Sequence, residues 1–347
     1  MRKQYKIMIA GFYGAGNSGD EAMLRNFVYK IRKRIPNSIF FIATDKNGLW
    51  DYDGVYYISP MDRSRLHLCD LLIIGGGDLG VGFGWHLLVF GKSATKVKAI
   101  NMGVSINNTW TEGAVTKCVY EMLHLYNKIY VRDAGSKKNL DSLGIDCEAT
   151  TDIAIDLPEE PCGILRKGEQ VCLVIREVAE KHREQQVALA EKVIDHISKD
   201  YFLTVLPFSP EDAAFCKQFK NLKAGKSQTI FTFNPQHHKY VISNSKYLVS
   251  LGRFHPLVYA MEKAVPMIGM TYPEVYQYSK IDAWMKHIQM EDCCMNFIAP
   301  FDYFVKKWER LQNNSDYYRS RIKRTYKKMK KINEVQFDEV AKLILGE

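Results

Sequence analysis

No stretch of this chain of 347 residues holds the roughly 18 consecutive apolar residues that a membrane-crossing helix needs, so no spanning segment is expected. The basic, briefly apolar start, Met1–Ala10, reads as a first strand rather than a signal peptide. The cysteines at 69, 118, 147, 162, 172, 216, 293 and 294 never fall in Cys-x-x-Cys spacing. That argues against a zinc site and a disulfide framework; reduced thiols in a cytoplasm fit best. Adjacent Cys293 and Cys294 read as packing. His237 and His238 lack an evident acid partner and point to different sides, so no metal is expected. Internal repeats are absent, and low complexity is confined to one basic stretch. Residues 317–331 hold eight Lys or Arg and no acid; without them the net charge of +9 falls to about +1. The basic character is therefore local. A solvated helix face is the plain reading. Contact with an anionic membrane surface or a lipid-pyrophosphate substrate is the functional one. No nucleic-acid motif accompanies the patch, so no nucleic acid is expected.

What is present alternates strand and helix. Residues 5–10, 38–44, 71–74, 97–104 and 128–131 read as strands, with helices over 21–35 and 112–126. Leu157–Gly168, with two prolines and two glycines, reads as a linker. The pattern then restarts, with strands at 171–176, 202–206, 229–233, 247–251 and 267–270 and helices at 183–198, 210–219 and 256–264. Helices over 302–311 and 316–345 end the chain. An α/β fold follows. Expected are an N-terminal domain at 1–160, a C-terminal domain at 168–300 and a helical basic tail at 301–347.

The most informative stretch is 247–284. Gly252 breaks a buried strand, and Pro256 suits the first turn of a helix, so Arg253 and His255 sit at a strand–helix junction. Free helix N–H groups favour anions. Arg adds a rigid fork matched to carboxylate or phosphate, and His a group that moves protons near neutral pH. Together they point to chemistry on a small phosphorylated or carboxylated molecule. Arg176, at the end of another strand, is a candidate second guanidinium.

Gly14-Ala-Gly16-Asn17-Ser18-Gly19 formally matches Gly-x-Gly-x-x-Gly, with Asp45 beyond it. Asp20 and Glu21 follow at once and would repel a pyrophosphate, and no Lys-Ser or Lys-Thr makes it a P-loop. The loop either makes a tight turn or presents Asn17, Asp20 and Glu21 to sugar hydroxyls. Gly75-Gly76-Gly77 ends a strand and admits a close-approaching ligand or backbone. Arg132 beside Asp133 is either a simple ion pair or a ligand contact.

These motifs resemble those of the polysaccharide pyruvyl transferases. Gly11-Phe-Tyr-Gly-Ala-Gly-Asn-Ser-Gly-Asp-Glu-Ala22, Asp70-Leu-Leu-Ile-Ile-Gly-Gly-Gly77, Val131-Arg-Asp133, Thr151-Asp152 and Leu206-Pro-Phe-Ser-Pro-Glu-Asp212 come in the family's order. So do Gly252-Arg-Phe-His255, Ala264-Val-Pro-Met-Ile-Gly269, Tyr272 and Lys280-Ile-Asp-Ala-Trp284. Family members often carry Ser or Thr where Asp78 stands. The resemblance spans about residues 7–290. It implies two Rossmann-like domains facing a cleft, glycosyltransferase-B-like, with C-terminal helices.

The implied activity is transfer of pyruvate from phosphoenolpyruvate to a sugar as a ketal, with release of phosphate, in cell-surface polysaccharide biosynthesis. On that view His255 and Arg253 are catalytic. Arg176, Arg253 and Lys280 bind the donor. Asn17, Asp20, Glu21, Gly76, Gly77 and Arg132 hold a sugar or lipid-linked oligosaccharide acceptor. No cofactor or metal is expected, and a cytoplasmic enzyme, peripheral at the inner membrane face, fits. A nucleotide-sugar glycosyltransferase of the same architecture is the alternative enzyme, although no base or ribose pocket is identifiable. A non-catalytic polyanion or membrane-surface binding protein is the alternative of another class.

Overall fold

The computed structural model describes residues 3–46, 50–60, 62–77, 96–106, 121–163, 165, 169–177, 182–222, 225–271 and 280–347. Asp78 and Tyr272, most of the helix expected at 112–126, and Cys118 lie outside them. The chain divides into two compact units. One holds residues 1–16, 20–153 and 329–347; the other holds 17–19 and 154–328. The division near 153 precedes the expected linker, and the basic tail is shared between the units.

The first unit is built on seven parallel strands in the order β3-β2-β1-β4-β5-β6-β7. These are β1 Tyr5–Ala10, β2 Ser38–Ala43, β3 Val55–Ile58, β4 Leu71–Gly77, β5 Lys98–Val104, β6 Lys128–Val131 and β7 Glu148–Ala149. The central strands are near-continuous apolar runs because a parallel sheet is covered on both faces. All seven residues of β4 are buried. Helix α1, Ser18–Arg34, carries Asp20 and Glu21 in its first turn and Arg32, Lys33 and Arg34 in its last, matching its dipole. Helix α2, Ala134–Ser142, is capped by the Asp133 carboxylate, which accepts from the Ser136 N–H.

The second unit carries six parallel strands in the order β10-β9-β8-β11-β12-β13. These are β8 Gln170–Ile175, β9 Phe202–Val205, β10 Ser227–Thr229, β11 Tyr247–Leu251, β12 Met267–Thr271 and β13 Cys294–Asn296. Its helices are α3 Arg183–Ile197, α4 Pro210–Cys216, α5 Pro235–Ser243, α6 His255–Tyr259, α7 Lys280–His287 and α8 Phe301–Asn313. Helix α9, Ser315–Leu345, runs from this unit into the first.

Several elements differ from expectation. The strand expected at 229–233 lies at Ser227–Thr229, on the sheet edge, where half-buried polar residues replace an apolar run. Helix α5 was not anticipated, although Asn234 caps it and Pro235 opens it. The helix expected at 256–264 ends at Tyr259, and Ala264 turns the chain with φ of 53°. Strands β3, β7 and β13 are edge strands of two to four residues, too short to stand out in the sequence.

The strand orders locate the sites. In each sheet the connections run one way from the first strand and then reverse, leaving a crossover between β1 and β4 and another between β8 and β11. In open parallel sheets ligands bind outside the carboxyl ends of the strands at such a crossover.

Candidate functional site

In the second unit, β8 and β11 are paired through Ile175 and Leu251. The next residues are Arg176, whose N–H donates to the Leu251 carbonyl at 2.9 Å, and Gly252. The crossover therefore carries Arg176 on one lip and Arg253 and His255 on the other. Arg176 is exposed. Arg253 is firmly held: Nε donates to Asp212 Oδ2 at 2.7 Å, and Nη2 to Asp212 Oδ1 at 2.7 Å and to Ser209 Oγ at 2.9 Å. The Arg253 side chain is 13% exposed and that of Asp212 1%. Ser209 also caps α4, whose Pro210 occupies the first turn. Three of the five guanidinium N–H groups are thus oriented by protein, and Nη1 lies outside these bonds. Helix α6 has five residues, too few for a strong dipole; the guanidinium, more than the helix end, supplies the positive charge.

His255 packs on a distant stretch of the sequence. A Cβ placed on Gly19 would come within 1.9 Å of His255 Nδ1, so only glycine fits there. Residues 17–19 belong to this unit, with Asn17 Oδ1 accepting the Gly19 N–H at 3.2 Å. Asn17, expected on the acceptor side in the N-terminal domain, groups instead with the unit of Arg253 and His255.

Ser18 anchors that stretch. Its N–H donates to the Phe208 carbonyl at 2.9 Å, and the Tyr259 hydroxyl donates to its carbonyl at 3.0 Å. Its Oγ lies 2.6 Å from His238 Nδ1, while His238 Nε2 lies 2.7 Å from the Thr232 carbonyl. A carbonyl accepts, so Nε2 carries the proton and Nδ1 accepts from Ser18. His238 is fully buried and stacked on Phe208 at 4.5 Å. Burial, together with His237 nearby, lowers its pKa to about 3 against the pull of the Thr232 carbonyl, so the ring is neutral. His238 serves as a scaffold, and among the described residues no cluster of His, Cys, Asp and Glu could hold a metal.

Lys280 opens α7 and is half-buried. Sequence reasoning missed Ser18, Asp212, His238 and Tyr259. For Asp212 a signal existed: Ser209-Pro-Glu-Asp212 is a capping pattern.

In the first unit, β1 and β4 pair through Ala10 and Ile74, bringing the loop from Gly11 beside Gly75–Gly77. Tyr13 ties them, its hydroxyl donating to the Gly75 carbonyl at 2.5 Å. Gly77, with φ of 79°, lies against Asp20: an added Cβ would meet Asp20 Oδ1 at 2.9 Å. Glu21 is 2% exposed, and its Oε1 accepts the Gly14 N–H at 2.6 Å. Burial raises its pKa; the Gly14 and Gly16 N–H groups and Arg25 pull it back and Asp20 pushes it up, leaving it at about 7. The structure thus gathers Asp20, Glu21, Gly76 and Gly77 at the β1/β4 crossover. Arg132 stands apart. It is 5% exposed and donates to Asp152 Oδ2 at 2.9 Å and to Ser105 Oγ at 2.7 Å. Through Asp152 it pins the Thr151–Asp152 segment to the sheet.

Two Rossmann-like units of this kind make a glycosyltransferase-B-like fold. Solved structures bear this out. MnaA of S. aureus, solved with UDP, is similar over 99% of this chain and 97% of its own, with TM-score 0.66 and 10% identity. A UDP-GlcNAc 2-epimerase of Neisseria meningitidis, bound to UDP-GlcNAc, is similar over 99% and 100%, with TM-score 0.63 and 9% identity. The glycosyltransferase of kitacinnamycin has TM-score 0.60 and 8% identity over 99% and 100%. No curated protein matches in sequence. The model of the polysaccharide pyruvyl transferase family matches residues 17–274, and the chain belongs to that family.

Proposed function

We propose that the protein transfers pyruvate from phosphoenolpyruvate to a sugar as a ketal, releasing phosphate, in the making of a cell-surface polysaccharide. The observation that carries this reading is the β8/β11 crossover, with the exposed Arg176 on one lip and the pre-oriented Arg253 and His255 on the other. Phosphoenolpyruvate has a carboxylate and a phosphate on one small frame, and two guanidiniums match them. His255 protonates the methylene carbon, making it a methyl group and its neighbour electrophilic. Two sugar hydroxyls add to that carbon in turn, each losing its proton. The phosphate leaves with one proton, and the other balances the one delivered to carbon. Lys280 neutralises the departing phosphate. Asp20, Glu21 and the backbone at Gly76 and Gly77 serve the acceptor. The scheme requires neither nucleotide nor metal.

The acceptor is a sugar or a lipid-linked oligosaccharide. Peripheral contact with an anionic membrane surface is assigned to the basic face of α9. Among the described residues no helix is long and apolar enough to cross a membrane.

The test is incubation with phosphoenolpyruvate and a panel of sugar and lipid-linked acceptors, following phosphate release and product mass. A nucleotide-sugar donor is the second reading, favoured by the UDP and UDP-GlcNAc in the similar structures. It predicts UDP release from a UDP-sugar and none of the pyruvylated product.

A further inference from the structure

One side chain at the β1/β4 crossover has no part in the pyruvyl-transfer scheme. From Gly11 to Ala22 every residue is buried or half-buried except Phe12, which is 49% exposed. A benzyl group left in water forgoes the gain that burial brings. A lone exposed apolar residue on an ordinary surface loop asks for no explanation; Phe12 differs in where it stands and how it is held. It follows the carboxyl end of β1 by two residues, at the crossover where open parallel sheets bind ligands. Its backbone is clamped on both sides. The Tyr13 N–H donates to the Gly11 carbonyl at 2.9 Å, closing a three-residue turn with Phe12 at its apex. Gly11 lies so close to β4 that an added Cβ would come within 2.3 Å of the Gly75 carbonyl oxygen. Tyr13 is buried, its hydroxyl bound to that same carbonyl and its own carbonyl accepting from Thr44 Oγ1 at 2.7 Å. The aromatic ring is thus presented on a fixed turn and has only two torsions of its own to lose on binding.

We propose that Phe12 is the stacking platform of the acceptor site: one face of its ring packs against the C–H face of a pyranose. A pyranose carries hydroxyls around its rim and C–H groups on its faces. The negative face of an aromatic ring attracts those weakly positive C–H groups while both surfaces leave water. A flat apolar ring offers nothing to a free phosphate or carboxylate, so Phe12 selects the neutral ring of a sugar and not a small anion. Its ligand class, an acceptor sugar, rests on the pyruvyl-transfer reading. Every contact invoked lies within the first unit.

The experiment compares wild type, F12A, F12L and F12W. Phosphoenolpyruvate affinity is measured, and the methyl glycosides of glucose, galactose and mannose are titrated by NMR. Acceptor KM and kcat follow for the glycosides that take pyruvate and for a lipid-linked acceptor. F12A and F12L should both weaken glycoside binding and raise acceptor KM about three- to tenfold, with kcat and phosphoenolpyruvate affinity unchanged. F12W keeps a flat ring and should stay close to wild type. F12L keeps the apolar bulk without the ring and carries the test if F12A does not fold. Glycoside affinity in F12L equal to that of wild type, a fall in kcat with KM unmoved, or a loss confined to the lipid-linked acceptor overturns the assignment. So does a wild type that binds none of the three glycosides. Wild type that binds a glycoside more tightly than F12L yet neither binds phosphoenolpyruvate nor releases phosphate overturns pyruvyl transfer and supports Phe12 as a sugar platform.

Discussion

Single residues in this protein show a division between groups that are fixed and groups left to act. His238 is fixed: it is neutral, donates to the Thr232 carbonyl and accepts from Ser18. Its native pKa lies near 3, below the roughly 6.5 of an unfolded histidine. The unfolded chain therefore takes up a proton first as pH falls. The stability owed to neutral His238 is complete above about pH 6.5 and declines steadily toward pH 3. Denaturant titrations from pH 7 to 4 should show this slope in wild type and a shallower one in H238Q; equal slopes would contradict it. Removing the Ser18 hydroxyl leaves a buried nitrogen unpaired, so S18A should lose about 1–3 kcal/mol. Arg253 is also fixed, but along one edge. Its exchange for Lys keeps the charge and loses both the fork and the Asp212 alignment. R253K should be nearly as inactive as R253A, with a loss of about 2.7–4 kcal/mol in the transition state, read from kcat/KM. Recovery of most activity by Lys would mean that a point charge suffices. H255A should keep the fold and donor affinity yet lose turnover, and a turnover within threefold of wild type would sink its role as acid.

Among the elements, α9 does most to explain the unusual charge of the chain. Tyr318, Ile322, Tyr326 and Met329 form its buried stripe. Of the basic residues, Arg319 donates to the carbonyls of Ala264 and Lys246, and Arg321 to that of Gln289. Lys323, Arg324, Lys327, Lys328, Lys330 and Lys331 are exposed. If they meet anionic lipid, each near the surface adds about 1 kcal/mol, with strong salt dependence. Neutralising four of them should lower activity on a lipid-linked acceptor and spare a soluble sugar analogue. Equal loss on both would make the stripe structural. Further along, Glu334 meets Lys30 at 2.5 Å and Arg34 at 2.6 Å, and Arg34 also meets Asp338 at 2.6 Å, tying the end of α9 to α1 within the first unit. Burial would raise the Glu334 pKa, but Lys30 and Arg34 bring it to about 2. Its contribution is present above the unfolded value near 4.5 and is lost as pH falls toward 2. The carboxylate is 32% exposed, so screening keeps the effect modest. E334Q should cost about 1 kcal/mol, less in high salt.

At the scale of the whole molecule, the fold was legible wherever burial writes itself into composition. The central strands of both sheets are apolar runs, and their order with the intervening helices gives two parallel α/β units. What stayed hidden is edge structure and pairing at long range. Glu148–Ala149 is a two-residue strand with both side chains exposed, and no periodicity can announce it. Arg253 and His255 stood out at a strand–helix junction, but their partners lie far away in sequence. Asp212 is 41 residues from Arg253, and Gly19 reaches His255 from the other end of the chain. Such contacts depend on the crossing of strands, which local pattern does not encode. Asn17 groups with the unit of Arg253 and His255 for the same reason, since residues 17–19 fall with 154–328. The most direct measurement is a mass spectrum of acceptor sugars incubated with the protein and phosphoenolpyruvate, with phosphate assayed in parallel. Pyruvyl transfer predicts an acceptor heavier by one pyruvate ketal and one phosphate released per product, both abolished in H255A. Unmodified acceptors throughout the panel, with no phosphate released, would contradict it.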